Sequence, residues 1–266
     1  MSLSLIPSFR DALHAADRPL AGMWVCSGSP IVAEICAGSG LDWLLIDMEH
    51  APNGLADVLT QLQAAAGYPI TPVVRVPTAD PVIIKQVLDL GAQNLLVPMV
   101  SSVEQARAVV GAAHYPPHGI RGVGSALARS ARWNRIDGYL TDAARHISVT
   151  VQIENVAGVQ AAAGIAAVDG IDGVFVGPSD LAASMGVIGQ QTHPDVTAAV
   201  LATFDAVRQA GKPFGVNAFD PAVADHYLSA GASFILVGAD VAMLARGSEA
   251  LAARFATGDT TTRAGY

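Results

Sequence analysis

The fold is decided by one stretch: Val149-Thr150-Val151-Gln152-Ile153-Glu154, then a helical run of small residues from Val156 to Val168, then Gly173-Val174-Phe175-Val176-Gly177-Pro178-Ser179-Asp180. Each apolar run is short and ends near an acid. This pattern reads as strand, helix, strand. Two strands joined by a helix run parallel, and their C-terminal ends lie side by side. Glu154 and Asp180 are therefore expected to converge on one point. Two converging carboxylates either share a proton or hold a hard divalent cation. Taken singly, each acid fits equally well as a solvated loop acid or a helix N-cap. Taken together on adjacent strands, they favour the cation.

The same alternation extends outward in both directions. Strands are predicted at Ala21–Cys26, Trp43–Asp47, Thr71–Val76, Asn94–Val100, Val149–Ile153, Val174–Val176, Phe214–Asn217 and Phe234–Val237. Helices follow them at Pro30–Ala37, Leu55–Ala66, Pro81–Leu90, Val103–Ala113, Val156–Val168, Pro194–Ala210, Pro221–Ser229 and Val241–Ala256. Pro81 opens a helix and Gly91 stops it, while Ser102 serves as an N-cap. Eight strand–helix units with no break in composition predict a single α/β domain over residues 1–266, a (β/α)8 TIM barrel. An open doubly wound sheet is the main rival. It often shows a Gly-rich phosphate turn after its first strand, and Ser27-Gly28-Ser29-Pro30 is no such turn. Two segments break the rhythm: Tyr115–Ile147, with five arginines, and Leu181–His193. Both are expected to be long functional loops or subunit contacts. The last residues, Thr257–Tyr266, are polar and expected to fray.

Of 266 residues, 52% are hydrophobic and only 14% charged, which fits a sheet buried on both faces. The net charge of −8 carries no basic patch, so nucleic acid is not expected as a partner. The longest apolar candidate for a membrane span, Asn94–Val100, falls far short of the roughly 20 residues a spanning helix needs. Arg10, Asp11, His14, Asp17 and Arg18 within Met1–Pro19 argue against a signal peptide. Cys26 and Cys36 make no disulfide framework, and a reduced, cytoplasmic setting is expected.

Barrel enzymes place their chemistry at the C-terminal strand ends. Glu154 and Asp180 are the candidate metal ligands, and an all-oxygen pair favours Mg²⁺ or Mn²⁺. His50 is the candidate base, because among seven histidines it alone follows a strand directly. Asp47 is expected to orient its imidazole by a hydrogen bond, and Glu49 competes for either role. Arg75 ends an apolar strand and needs an anionic partner, either a substrate oxyanion or an ion pair with Asp47 or Glu49. Gly177-Pro178-Ser179 allows close approach of a ligand to backbone N–H groups. Trp24, Cys26 and Phe219 read as core or pocket wall. The only lysines, Lys85 and Lys212, lie away from the strand tips, so Schiff-base chemistry is not expected.

Several segments together resemble the HpcH/HpaI aldolase family of metal-dependent pyruvate aldolases acting on 4-hydroxy-2-oxo acids. They are Gly22-Met23-Trp24, Gly28-Ser29-Pro30 with Glu34, Asp47-Met48-Glu49-His50, Val74-Arg75-Val76-Pro77, Leu88-Asp89-Leu90-Gly91-Ala92, Val97-Pro98-Met99-Val100, Gln152-Ile153-Glu154 and Val176-Gly177-Pro178-Ser179-Asp180. The resemblance implies a barrel of the phosphoenolpyruvate/pyruvate type, a terminal helix exchanged between neighbours and a homo-hexamer built as a trimer of dimers. It implies Mg²⁺, Mn²⁺ or Co²⁺ on Glu154 and Asp180, and no organic cofactor. Pyruvate, or a related 2-oxo acid such as hydroxypyruvate, would bind through the metal, Arg75 and the backbone of Ser179 and Asp180, with Gln152 lining the site. His50 with Asp47 would supply the base, acting directly or through water, and Asp89 would reach a neighbour's site. The implied reaction is reversible aldol cleavage to a 2-oxo acid and an aldehyde, as in aromatic-compound catabolism. A citramalyl- or malyl-CoA lyase, a non-catalytic acid-binding barrel and a metal-independent isomerase are the competing expectations.

Overall fold

A computed structural model describes residues 3–124 and 126–256; the expected fraying of Thr257–Tyr266 lies outside them. Eight parallel strands close into a barrel in sequence order: β1 (Leu20–Val25), β2 (Trp43–Asp47), β3 (Thr71–Arg75), β4 (Asn94–Val97), β5 (Ser148–Ile153), β6 (Gly173–Val176), β7 (Phe214–Asn217) and β8 (Phe234–Ala239). Closure excludes the open doubly wound sheet. The helices of the barrel wall are α2 (Pro30–Ala37), α3 (Leu55–Ala65), α4 (Pro81–Asp89), α5 (Val103–Ala113), α7 (Val156–Ala166), α9 (Pro194–Gln209), α10 (Pro221–Ser229) and α11 (Asp240–Phe255). Among the described residues, no helix is long and apolar enough to cross a membrane.

Strand residues alternate between two cores. One lies between sheet and helices and takes the valines, isoleucines and alanines. The other fills the barrel interior with Leu20, Trp43, Leu45, Val73, Leu96, Phe175 and Phe234. Trp43 fits because Gly22, its register partner on β1, has no Cβ: one placed there would lie 2.5 Å from the indole.

Three elements depart from expectation. A short helix, α1 (Phe9–Ala15), closed by a Ser8–Asp11 capping box, plugs the N-terminal end of the barrel. Its Phe9 ring lies 5.1 Å from Trp43 and 5.3 Å from Phe234. The segment 115–147 is not all loop. It holds a 3₁₀ turn (Arg129–Ala131) and α6 (Tyr139–His146) around a small core of Ala131, Ile136, Tyr139 and Ala143. The strand expected to reach Val100 stops at Val97. Pro98 has no N–H for the ladder, and Met99 takes left-handed backbone (φ 57°). After β6 the chain turns straight into α8 (Pro178–Ser184), with Gly177 as N-cap and Pro178 at its first position.

Candidate active site

Parallel pairing sets the site. β2 and β3 align Asp47 with Arg75, and β5 and β6 align Ile153 with Val176, so Glu154 and Gly177 emerge together. Arg75 is buried and takes three contacts with acids. Its Nε donates to Asp47 Oδ1 (2.8 Å) and its Nη2 to Asp47 Oδ2 (2.8 Å), while Nη1 pairs with Glu49 Oε2 (2.7 Å). Trp24 lies flat beneath the guanidinium, 4.2 Å away. Two of the five N–H groups are spent on Asp47, and Glu49 adds an ion pair at Nη1.

This corrects the expected role of Asp47. Its carboxylate does not orient the His50 imidazole. It is occupied by the Arg75 fork and by the backbone N–H groups of Glu49 (3.0 Å) and His50 (3.3 Å). A planar fork matches a carboxylate bidentately, and strand register puts the two side chains opposite each other. The nearest acid to the His50 ring is Glu49, with Oε2 3.9 Å from Nε2, and the imidazole is 65% exposed.

Glu154 is only 2% exposed. The Met99 N–H donates to Oε1 (2.7 Å), and Gln152 Nε2 donates to Oε2. A Cβ on Gly177 would sit 2.8 Å from Oε2 and 2.9 Å from the Gln152 amide, so only glycine leaves the carboxylate its place. Burial pushes the Glu154 carboxyl up to about 7; the Met99 hydrogen bond pulls it partly back, while the charges of Glu49 and Asp180 push it further up. Burial likewise raises Glu49, against the pull of Arg75 and with a further push from Asp47 and Asp180. Asp180 itself is exposed, in the first turn of α8. Glu154, Glu49 and Asp180 therefore form one mutually repelling cluster.

Within that cluster, Glu154 and Asp180 have the chemistry to hold a hard divalent cation. Its donors are all oxygen, and the Gln152 Oε1 beside it is buried without a partner. Among the described residues, no three His, Cys, Asp or Glu side chains make a protein-only cage. Two carboxylates leave positions for water and a chelating ligand.

Beside the cluster lies a cavity of about 320 Å³. Asp47, His50, Arg75, Pro178 and Ser179 line its reactive side; Ala218, Phe219, Val223, Tyr227 and Val241 make an apolar wall. No lysine lines it. Lys85 is on α4, and Lys212 precedes β7 at the opposite end of the barrel. Cys26 faces the cavity, but burial foremost, and then Asp47 and Asp240, push its thiol up to about 12, so it is no nucleophile at neutral pH. Asp89 is not among the residues lining this cavity. It closes α4, and its carboxylate accepts from buried Arg121 (2.7 Å).

Sequence reasoning missed four contributors. Gln191, in the 181–193 segment, lines the cavity and accepts from the Ser179 hydroxyl (2.8 Å). Asn217 lines it too, with its Oδ1 buried and unpartnered. Asp240 accepts from the N–H groups of Cys26 (2.8 Å) and Ser27 (3.0 Å), tying the β1 loop to α11. Met99 acts through its backbone, and its only signal in the sequence was the proline before it.

A closed parallel barrel with buried carboxylates and an arginine at its strand tips defines an enzyme of the α/β-barrel class. A profile of the HpcH/HpaI aldolase/citrate lyase family matches residues 20–247. The 4-hydroxy-2-oxo-heptane-1,7-dioate aldolase of Salmonella dublin is 54% identical over 248 residues, 93% of this chain and 94% of that protein. The enzyme of the same name from Klebsiella pneumoniae is 54% identical over 255 residues, 96% of each chain. Among solved structures, an HpcH/HpaI aldolase/citrate lyase family protein from Burkholderia cenocepacia superposes with a TM-score of 0.88 at 41% identity, covering 92% of this chain and 97% of that one. The chain belongs to the HpcH/HpaI aldolase/citrate lyase family, and it is a carbon–carbon lyase.

Proposed function

We propose that this chain catalyses reversible aldol cleavage of 4-hydroxy-2-oxo acids to pyruvate, or a related 2-oxo acid, and an aldehyde. The observation that carries this is the repelling cluster of Glu154, Glu49 and Asp180 beside Arg75, at the edge of a cavity with no lysine. The curated relatives bear the name of that activity.

Glu154 and Asp180 would hold Mg²⁺, Mn²⁺ or Co²⁺, with Gln152 alongside. A divalent cation there would supply Lewis-acid polarisation of the 2-oxo carbonyl. Ser179 and Asp180 have amides in the unbonded first turn of α8, whose first closing hydrogen bond runs from Leu181 to Gly177, and they take the substrate carboxylate. Arg75 is locked in place by the Asp47 hydrogen bonds and the Glu49 ion pair, and the N–H groups that Asp47 does not use serve the oxyanion that develops at C2. In the condensation direction, His50 removes a proton from the methyl carbon of the 2-oxo acid, directly or through water. The carbon so freed bonds to the aldehyde carbon, and the His50 imidazolium gives its proton to the resulting alkoxide, which restores the neutral imidazole for the next turnover. Trp24, Pro178 and Gly177 shape the wall.

The molecule works as one barrel domain whose α11 is exchanged within a dimer, three dimers making a hexamer, in the cytoplasm and in a catabolic route such as that of aromatic compounds. Asp89 serves a neighbouring subunit. The apolar stripe along α11, with Val241, Leu244, Leu251 and Phe255 all exposed, supports the exchange.

Two assays test the reaction. Chelation with EDTA removes activity and Mn²⁺ or Mg²⁺ restores it, with exchange of pyruvate methyl protons in D₂O following the same course. Borohydride added with pyruvate leaves the enzyme active. Inactivation by borohydride would overturn the assignment in favour of a lysine imine.

A further inference from the structure

A second cationic centre lies at the other end of the barrel. The 3₁₀ turn runs into Arg132, Trp133 and Asn134, which take left-handed backbone in succession (φ 48°, 55° and 63°). Such backbone is costly for residues with side chains. Here it directs Arg132 back beneath the end of α4. Arg129 Nη1 donates to Leu90 O (3.0 Å), and Arg132 Nη1 donates to Arg129 O (2.6 Å). Both Nη1 atoms lie within 3.0 Å of the point where a Cβ on Gly91 would be, so the two positive groups share one small volume.

A cation at a helix C-terminus is ordinary. That accounts for one N–H of Arg129, the Arg129 carbonyl takes one from Arg132, and the rest of both forks is left. Among the described residues, neither guanidinium has a carboxylate within ion-pair distance, and Asp89, on the same helix end, pairs with Arg121. Both arginines are half-buried, and burial, with mutual repulsion at Arg129, weakens their hold on the proton. They line a cavity of about 220 Å³ with Ser4, Tyr68, Gln93 and Asn94, and no Asp or Glu is in its wall. The starts of β3 and β4 form its floor, so it faces away from the strand tips.

We propose that this cavity binds a phosphate group, free or as a small phosphomonoester, gripped by the forks of Arg129 and Arg132. A tetrahedral dianion offers enough oxygens and charge for two planar forks in one volume, whereas a single carboxylate leaves one positive charge uncompensated.

The test uses the full-length, assembled, metal-stripped protein and calorimetric titration with inorganic phosphate, then with glycerol phosphate. Saturable binding at one site per chain is expected, with a melting temperature that rises with the logarithm of ligand concentration. Arg132→Met should weaken binding about tenfold or more, the loss of a charge-assisted fork, and Arg132→Lys should weaken it less. Arg135→Met, at an exposed arginine beside Trp133, should leave it unchanged. Should Arg132→Met fail to fold, Arg132→Lys carries the comparison. Binding of both probes would mark a phosphomonoester site, and binding of phosphate alone a site for the free ion. Absence of saturable binding overturns the proposal. Binding equal in wild type and both Arg132 variants also overturns it, placing the ion elsewhere, such as at Arg75.

Discussion

Arg75 is held by Asp47 through two N–H groups and by Glu49 through an ion pair, so the pair of acids positions the arginine and leaves His50 largely exposed. His50 therefore has little to hold besides a proton. His50→Ala should lower turnover about 10² to 10⁴-fold, the usual worth of a general base, while Mn²⁺ affinity stays within about twofold. Parallel turnover and Mn²⁺ titrations decide it, and equal loss of both would make His50 a ligand. Glu154 carries the pH dependence. Its folded pKa of about 7 is raised above the ordinary 4.5, so its neutral form favours the fold. Its contribution is fully present below pH 4.5 and is lost as pH rises to about 7. The metal-free protein should lose stability on the order of 3 kcal/mol across that window through this one group. Glu154→Gln should flatten that component in denaturant titrations at pH 5 and pH 8. Mn²⁺ competes with the same proton, so its affinity for the wild-type protein should fall below pH 7.

Two short connections fix the geometry at the level of elements. The β4 tip turns through left-handed Met99 and aims one amide at Glu154. The β6 tip turns at Gly177 into α8 and leaves room for the other carboxylate oxygen. Gly177→Ala should push that oxygen aside. Weakening of Mn²⁺ binding by at least about tenfold is expected, with a stability loss of about 1–3 kcal/mol from overpacking. Calorimetric Mn²⁺ titration beside thermal melts measures both; an unchanged Mn²⁺ affinity would remove Glu154 from the site. Such turns were only partly legible. Gly177-Pro178 was visible as a helix start, but nothing local in Val97-Pro98-Met99 revealed where its amide would point.

The whole molecule leaves one helix uncovered. Along α11 only Asp240 is buried, and Leu244 and Leu251 are 69% and 61% exposed. A helix with that stripe needs a second surface. Leu244→Glu with Leu251→Glu should convert the assembly to smaller species in sedimentation velocity while the barrel keeps its circular dichroism. An unaltered sedimentation coefficient would refute the exchanged helix. At this scale the sequence reading passed over the helix at residues 9–15 and the folded part of the longest insertion. Phe9 plugs the barrel because it finds apolar partners far away in sequence, and residues 129–146 fold around their own Ala131, Ile136, Tyr139 and Ala143, with Leu5 and Tyr115 packed against them.

Eight short apolar runs alternating with helical ones carry the barrel in local pattern alone, since a parallel sheet buried on both faces demands such runs. The acids at the strand ends were fixed in the same way, because parallel pairing brings C-terminal tips together whatever lies between them. Which acid answers which base was not local. Asp47 pairs with Arg75 rather than with the histidine three residues on, because strand register and the guanidinium fork set that contact across the sheet. The proton affinity of Glu154 was equally a tertiary matter, set by burial and by charges brought from β2 and α8.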